Sequence, residues 1–204
     1  MEPHEQITIA EYQLTAEDYR IGTWHHDVSQ NRNALIAAMN KSDGKILDLG
    51  CGSGRDLVAF QEMGYQVTGL DATPAFVEMA SQIAGCEVWQ QSFLSLDLPS
   101  KTFDGIFANA SLIHVPSVEM LGVLENLHQA LSKNGILLMS MVRGDREGYS
   151  ERPTGFRYVT GWEYESLKPI LEAAKFQIID RYYRPQGSPI EECTWLVMVA
   201  QKIA

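Results

Sequence analysis

Short apolar runs alternate with stretches in which apolar residues recur every three to four positions, and this alternation organises most of the 204-residue chain. Lys45 to Leu49, Gln66 to Leu70, Glu87 to Gln90 and Thr102 to Ala108 have the length and composition of strands. Between them, Arg55 to Met63 has helical periodicity and stops at Gly64. Thr73 is placed to cap a further helix that starts with Pro74 and ends at Gly85. Upstream, a polar start leads into a helix opened by Asp27-Val-Ser-Gln-Asn31 and carrying Leu35, Ile36 and Met39. Downstream, Ser117 is expected to cap a helix running to about Leu131. Lys133-Asn-Gly135 closes it, ahead of a fifth apolar strand from Ile136 to Val142. Gly144 to Tyr158 is polar and rich in Arg, Gly and Tyr, which predicts a loop or lid. Helical periodicity returns from Trp162 to Ala174, and Phe176–Tyr183 and Thr194–Gln201 read as two closing strands.

Strands alternating with helices predict an α/β fold, with a parallel sheet and helices on both faces. One domain, 1–204, is expected, with residues 1–43 as an N-terminal helical cap segment and 44–204 as the core.

The strongest chemical signal stands at the end of the first strand. Asp48-Leu-Gly-Cys-Gly-Ser-Gly54 places glycines at alternate positions, where the backbone can bend sharply and bring unshielded N–H groups close to a ligand. The second strand runs into Asp71, about twenty residues past the first glycine. At that distance an acidic side chain reaches ribose hydroxyls in a nucleotide-binding βαβ unit. The predicted ligand therefore carries a ribose. A dinucleotide motif would need glycine where Arg55 stands, and a Walker loop would end in Gly-Lys-Ser/Thr; neither pattern is present. A tight turn with no ligand is the bland alternative.

Charge narrows the partners. With 26 acidic against 16 basic residues the net charge is −10, and there is no Lys/Arg run, so a nucleic-acid partner is not expected. Cys51, Cys86 and Cys193 are odd in number and lack metal-ligand spacing, so reduced thiols and no metal are expected. Met1-Glu-Pro-His-Glu5 is polar and unlike a cleavable signal. No apolar run approaches the roughly 18 residues needed to span a bilayer. These features predict a soluble, cytoplasmic protein without a membrane partner.

Asp48 to Gly54 resembles the nucleotide-binding motif of class I S-adenosylmethionine (SAM) methyltransferases. Phe103-Asp-Gly-Ile-Phe-Ala-Asn109 resembles their fourth-strand motif, and Leu131-Ser-Lys-Asn-Gly-Ile-Leu-Leu138 the turn into their fifth strand. The likeness runs over roughly residues 40 to 203 and is closest to small-molecule enzymes similar to those of quinone biosynthesis. It implies a Rossmann-like, doubly wound sheet of seven strands, mostly parallel, with strand seven antiparallel between five and six. It also implies SAM as cofactor, S-adenosylhomocysteine (SAH) as product, and a small-molecule acceptor methylated on O or N. A tRNA or protein methyltransferase and a non-catalytic SAM-binding module are the alternatives, since fold alone does not fix function. Asn109-Ala-Ser-Leu112 replaces the Asn-Pro-Pro motif of enzymes that methylate base amino groups, and no Pro-Cys nucleophile is present.

Carried over residue by residue, the resemblance implies that Asp48, Gly50, Cys51, Gly52 and Gly54 surround the methionine part of SAM. Asp71 would accept from both ribose hydroxyls, and Ala72 and Thr73 would lie beside the adenine. Ser92 occupies the position of an acidic residue that often contacts the adenine amino group, and Phe93 could supply a backbone N–H. Asn109 and Ala110 would face the sulfonium. In the segment before the first strand, Arg20 would pair with the SAM carboxylate and Trp24 would cover the site. His114, just past the fourth strand at the ligand-binding carboxyl edge, is the candidate catalytic base, with a structural histidine as the alternative. His25 and His26 are adjacent, which does not suit a metal pair on one helical face, and stand as substrate-side candidates. Arg143 and Tyr158, with Tyr149 and Arg152, are expected at the substrate entrance, against a reading as solvated surface.

Overall fold

The computed structural model describes residues 2–204; Met1, the first residue of the expected cap segment, lies outside the described residues. The first five strands are β1 (Lys45–Leu49), β2 (Gln66–Asp71), β3 (Val88–Gln90), β4 (Phe103–Asn109) and β5 (Leu131–Val142). A hairpin of β6 (Glu147–Arg152) and β7 (Gly155–Thr160) follows, and β8 (Phe176–Arg184) and β9 (Trp195–Lys202) close the chain. Seven of these pair in the order β3-β2-β1-β4-β5-β9-β8. β1 to β5 are mutually parallel, and β9 lies antiparallel between β5 and β8. The doubly wound sheet and its reversed strand are thus as expected. β5 starts at Leu131 rather than Ile136, and an irregular stretch through left-handed Asn134 (φ 61°) fills the gap between the Phe103–Leu131 and Gly105–Ile136 pairs.

Strand pleating sorts the apolar residues to two faces. Ile46, Phe107, Leu138 and Val197 meet Leu35 and Met39 of α2 (Ser29–Met39) and Phe60 of α3 (Arg55–Glu62). Leu47, Ile106, Leu137 and Leu196 meet Leu124 of α5 (Met120–Ala130) and Leu167 and Leu171 of α6 (Tyr164–Ala173). Both faces are covered, which is why the strands read as nearly continuous apolar runs rather than alternating ones.

Three expectations need correction. Gly144 to Tyr158 is a β-hairpin rather than a loop, because Glu147–Thr160 and Arg152–Gly155 bracket a six-pair antiparallel ladder. Ser117 makes no side-chain cap: a short 3-10 turn, Ser117–Glu119, leads into α5, and the Ser117 N–H donates to Glu147 Oε1 at 2.9 Å. Thr73 likewise does not cap α4 (Pro74–Ala84), since its hydroxyl is engaged with Asp71. Instead Gln13 Oε1 accepts from the Ala75 N–H at 3.0 Å.

Gln13 belongs to α1 (Pro3–Thr23), a helix of 21 residues within the segment expected as a helical cap, though the sequence did not delimit it. A reciprocal cap between Glu2 and Glu5 and a proline in the first turn begin it. Its inner stripe is Glu5, Thr8, Ile9, Tyr12, Ala16 and Tyr19, which has helical spacing but a mixed polar and aromatic character. Apolar periodicity cannot reveal such a face. Leu14, by contrast, is 75% exposed, so the outer face carries an aliphatic residue that misleads the same reading. Polar contacts hold α1 to the hairpin. Buried Glu11 accepts from Thr154 Oγ1 at 2.7 Å and from Arg157 Nε, and the Tyr158 N–H donates to Thr8 Oγ1 at 2.9 Å. Tyr12 and Tyr19 pack on Phe76 of α4, with centroids 5.6 and 5.4 Å away. α1 therefore roofs the carboxyl edge of the sheet.

Candidate active site

The glycine loop between β1 and α3 is stitched to the end of β2. Gly50 and Cys51 N–H groups donate to the Leu70 carbonyl at 2.7 and 3.0 Å. The Gly52 N–H donates to Asp71 Oδ2 at 3.0 Å, and the Thr73 N–H to Asp71 Oδ1 at 2.8 Å. Burial raises the Asp71 pKa, opposed by those backbone donors. Gly50 sits at φ 77°, and a Cβ there would lie 2.3 Å from Ser111 Cβ, so the position demands glycine. Gly54 has another task than the one expected: at φ 87° it starts α3 hard against Ala80 of α4 and does not line the cavity. The Cys51 side chain turns into a small cluster with Leu57 and Ala80, leaving the residue's backbone in the loop.

Under α1 lies a narrow pocket whose floor is Gly50, Gly52, Asp71, Ala72, Thr73 and Phe93. Its roof is Glu5, Thr8, Ile9, Tyr12 and Tyr19, none of which sequence reasoning selected. The pocket runs past Asn109, Ala110 and His114 into a second cavity of about 650 Å³, and the two share Tyr12, Tyr19, Gly50, Gly52 and those three residues. That volume is within the usual range for a small-molecule site. At the junction Ala110 holds a left-handed φ of 58°, a strained conformation for alanine. Behind it, Asn109 Oδ1 accepts from Asn31 Nδ2 at 2.7 Å, and Asn31 Oδ1 from the Tyr182 hydroxyl at 2.8 Å.

Orphaned polar atoms mark one end of the larger cavity. Among the described residues, Asp48 Oδ2 and Arg55 Nε are buried without a hydrogen-bond partner, although both side chains line the wall. Burial, then the charge of Asp56, pushes the Asp48 pKa well up. Arg55 is otherwise fixed, donating to Asp56 Oδ2 at 2.7 Å and to the Thr23 carbonyl at 2.8 Å. An unpaired carboxylate oxygen and an unpaired guanidinium N–H are costly to bury. An acid and a guanidinium at one end of a cavity suit the ammonium and carboxylate of an amino-acid zwitterion.

His114 is held at both ring nitrogens. Nδ1 is 2.6 Å from the Tyr158 carbonyl, so it carries the proton, and Nε2 at 3.1 Å accepts from the Tyr12 hydroxyl. Burial lowers the His114 pKa to about 4, which keeps the ring neutral near pH 7. Burial also raises the Tyr12 pKa, so its hydroxyl stays protonated, and the Arg157 guanidinium stacks 3.8 Å from its ring centroid. Ser92 does not line the pocket; its hydroxyl donates to the Glu5 carboxylate, which does. The acid missing from the end of β3 thus arrives from α1.

Several candidates lie elsewhere. Arg20 turns to Glu17 at 2.5 Å, and Trp24 and exposed His25 are outside both cavity walls, whereas His26 lines the larger one. Arg143 pairs with Glu163 at 3.1 Å and lies over Tyr183, away from the cavity. In the hairpin, pleating puts Tyr158 on the outer face, its hydroxyl donating to Glu147 at 2.7 Å. Only its carbonyl reaches His114. The inner face carries Arg152, Arg157 and Val159, all of which line the larger cavity. Among the described residues no helix is long and apolar enough to cross a membrane, and no group of His, Cys, Asp or Glu is arranged to hold a metal ion.

The family described as "Methyltransferase domain" matches residues 46–135. That stretch takes in the glycine loop and Asp71, and with the sheet order it makes the chain similar to class I SAM-dependent methyltransferases. A protein of Rickettsia canadensis named ubiquinone biosynthesis O-methyltransferase is 28% identical over 157 residues, covering 75% of this chain and 66% of its own length. Its namesake in Rickettsia felis is 29% identical over 122 residues, covering 58% and 49%. The chain thus spans about half to two thirds of these relatives. The crystal structure of Burkholderia thailandensis 1,6-didemethyltoxoflavin-N1-methyltransferase, with bound 1,6-didemethyltoxoflavin and SAH, has a TM-score of 0.77 at 24% identity. It covers 100% of this chain and 92% of that one, a likeness of fold.

Proposed function

We propose that this protein transfers a methyl group from SAM to an oxygen or nitrogen atom of a small-molecule acceptor. The observation that carries this reading is the junction at Ala110, Tyr12 and His114, where a narrow pocket floored by the glycine loop and Asp71 opens into a larger, partly apolar cavity. SAM, when bound, supplies an electrophilic methyl group on a sulfonium. Asp71 would take the ribose hydroxyls, with Ala72, Thr73 and Phe93 beside the adenine and Glu5 positioned to accept from a ring amino group. Asp48 would hold the ammonium and Arg55 the carboxylate, supplying the partners that their orphaned atoms lack. Asn109 and Ala110 stand at the sulfonium end.

The protein's main contribution is alignment in a site closed to water, because displacement at a methyl carbon needs the nucleophile in line and close. An acceptor that arrives as a hydroxyl or ammonium must also lose a proton. The Tyr12 oxygen would take it while the Tyr12 proton passes to His114 Nε2, and the Tyr158 carbonyl keeps the opposite nitrogen protonated. A nucleic-acid acceptor is disfavoured by the net charge of −10. The three cysteines are unpaired, the state expected of a cytoplasmic protein.

In the test, SAM and SAH should raise the melting temperature while NAD, NADP and ATP leave it unchanged. Saturation at a hundred times the dissociation constant would contribute roughly 2.7 kcal/mol. Stabilisation by NAD in place of SAM would refute the reading.

A further inference from the structure

The larger cavity is lined by Arg55, Arg152, Arg157 and Arg184 together with Asp27, Asp48 and Asp56. Arg152 and Arg157 stand on the inner face of the β6–β7 hairpin. Residues 152 and 150 share a face, Ser150 lies opposite Arg157, and the two arginines therefore point the same way. Arg184, at the end of β8, and His26 line the same cavity. Arg157 spends its Nε on Glu11, and Arg184 gives one Nη to the Asp27 carbonyl at 2.7 Å. Among the described residues Arg152 has no hydrogen-bond or ion-pair partner, and it is exposed toward the opening. The single carboxylate of SAM is accounted for at the opposite end, by Arg55 beside the glycine loop. Val142, Val159, Pro185 and Trp195 add apolar surface to the same cavity.

Arg55 is paired with Asp56 and Arg157 with Glu11, so of the arginines lining this cavity Arg152 and Arg184 are the two without an ion pair among the described residues. A planar guanidinium fork matches a carboxylate through two parallel hydrogen bonds. We propose that the methyl acceptor is a small, flat organic acid, with its carboxylate held by Arg152 and Arg157, assisted by Arg184, and its body lying on that apolar surface. This rests on the methyltransferase reading for its word "acceptor", while the anion site itself rests on the arginines.

The probes are 2-, 3- and 4-hydroxybenzoate and the three matching hydroxybenzamides, which keep the ring and hydroxyl and remove the charge. Each is titrated calorimetrically into protein saturated with SAH. At least one acid should bind about 10-fold or more tightly than its amide, the span expected for a charge-assisted pair. Arg152→Gln should erase that preference and leave SAH affinity unchanged, and Arg184→Gln should reduce it. Because Arg152 is exposed and touches Glu11 only through its charge, without a hydrogen bond, its variant disturbs the fold less than an Arg157 variant would. Equal binding of acids and amides, or no binding of any of the six, would overturn the proposal. So would an Arg152→Gln variant that loses SAH instead. Failure of SAH to bind at the outset would count against the methyltransferase reading, and the acid–amide comparison on the unliganded protein would then still decide the anion site.

Discussion

Single residues decide where the proton goes. His114 is neutral, its tautomer is set by the Tyr158 carbonyl, and its free nitrogen is spanned by Tyr12. Replacing it with alanine should lower turnover about 10²–10⁴-fold, the range for general acid–base catalysis, with SAH affinity nearly intact. Steady-state kinetics beside calorimetry would show whether rate and affinity separate; equal losses in both would make His114 a packing residue. The same burial has a consequence for stability. An unfolded imidazole takes its proton near pH 6.5 and the folded one only near 4, so the unfolded state binds more protons in that window. Stability should fall by about 3 kcal/mol as pH drops through it. Asp48 and Asp71, whose pKa values are raised, act with the opposite sign, so the test compares denaturation of the wild type with that of His114→Gln. The variant should lose this share of the slope, and parallel curves for the two proteins would contradict it. That Asp71, Gly50, Gly52 and His114 gather at one pocket was legible in the sequence because they follow strand ends in chain order, whereas Gly54 faces Ala80 instead. Arg143 and Tyr158 were misread because one step along a strand reverses the face. Recognising Arg152 and Arg157 as the inward pair required the register.

At the scale of elements, the account turns on α1 and its clasp to the hairpin. Burial raises the Glu11 pKa, but hydrogen bonds from Arg157 and Thr154 and the charge of Arg157 more than offset it, so the pair is ionised. Removing one partner leaves the other charge buried and unpaired. Glu11→Leu and Arg157→Leu should each destabilise by about 3–5 kcal/mol, and the double variant by clearly less than the sum. Urea denaturation of the four proteins checks this, and additive losses would mean that the ion pair does not fasten α1. The strands were readable because both faces of the sheet are buried, which leaves apolar runs. A helical cap was expected before β1, but the bounds and inward face of α1 were not readable, because that stripe is Glu5, Thr8, Tyr12 and Tyr19 and its aliphatic Leu14 faces solvent. The hairpin was equally hidden, since a two-stranded ribbon against a polar helix carries arginines and tyrosines where a core strand carries valines.

For the whole molecule, one sheet edge, one glycine loop and one roofing helix bring together residues from positions 5 to 115 around a single pocket. The sheet order places β1 and β4 side by side, so the glycine loop and the His114 turn open into the same space. That topology explains how an acidic protein without a metal-ligand cluster among its described residues can build a site for a zwitterionic nucleoside. The central claim is that this pocket binds SAM through Asp71, and calorimetric titration of SAM into the wild type and into Asp71→Ala tests it most directly. Saturable binding to the wild type is expected, weakened in the variant by roughly 1.5–3 kcal/mol for the lost charge-assisted hydrogen bonds. Absence of binding to the wild type, or equal affinity in the two proteins, would contradict it.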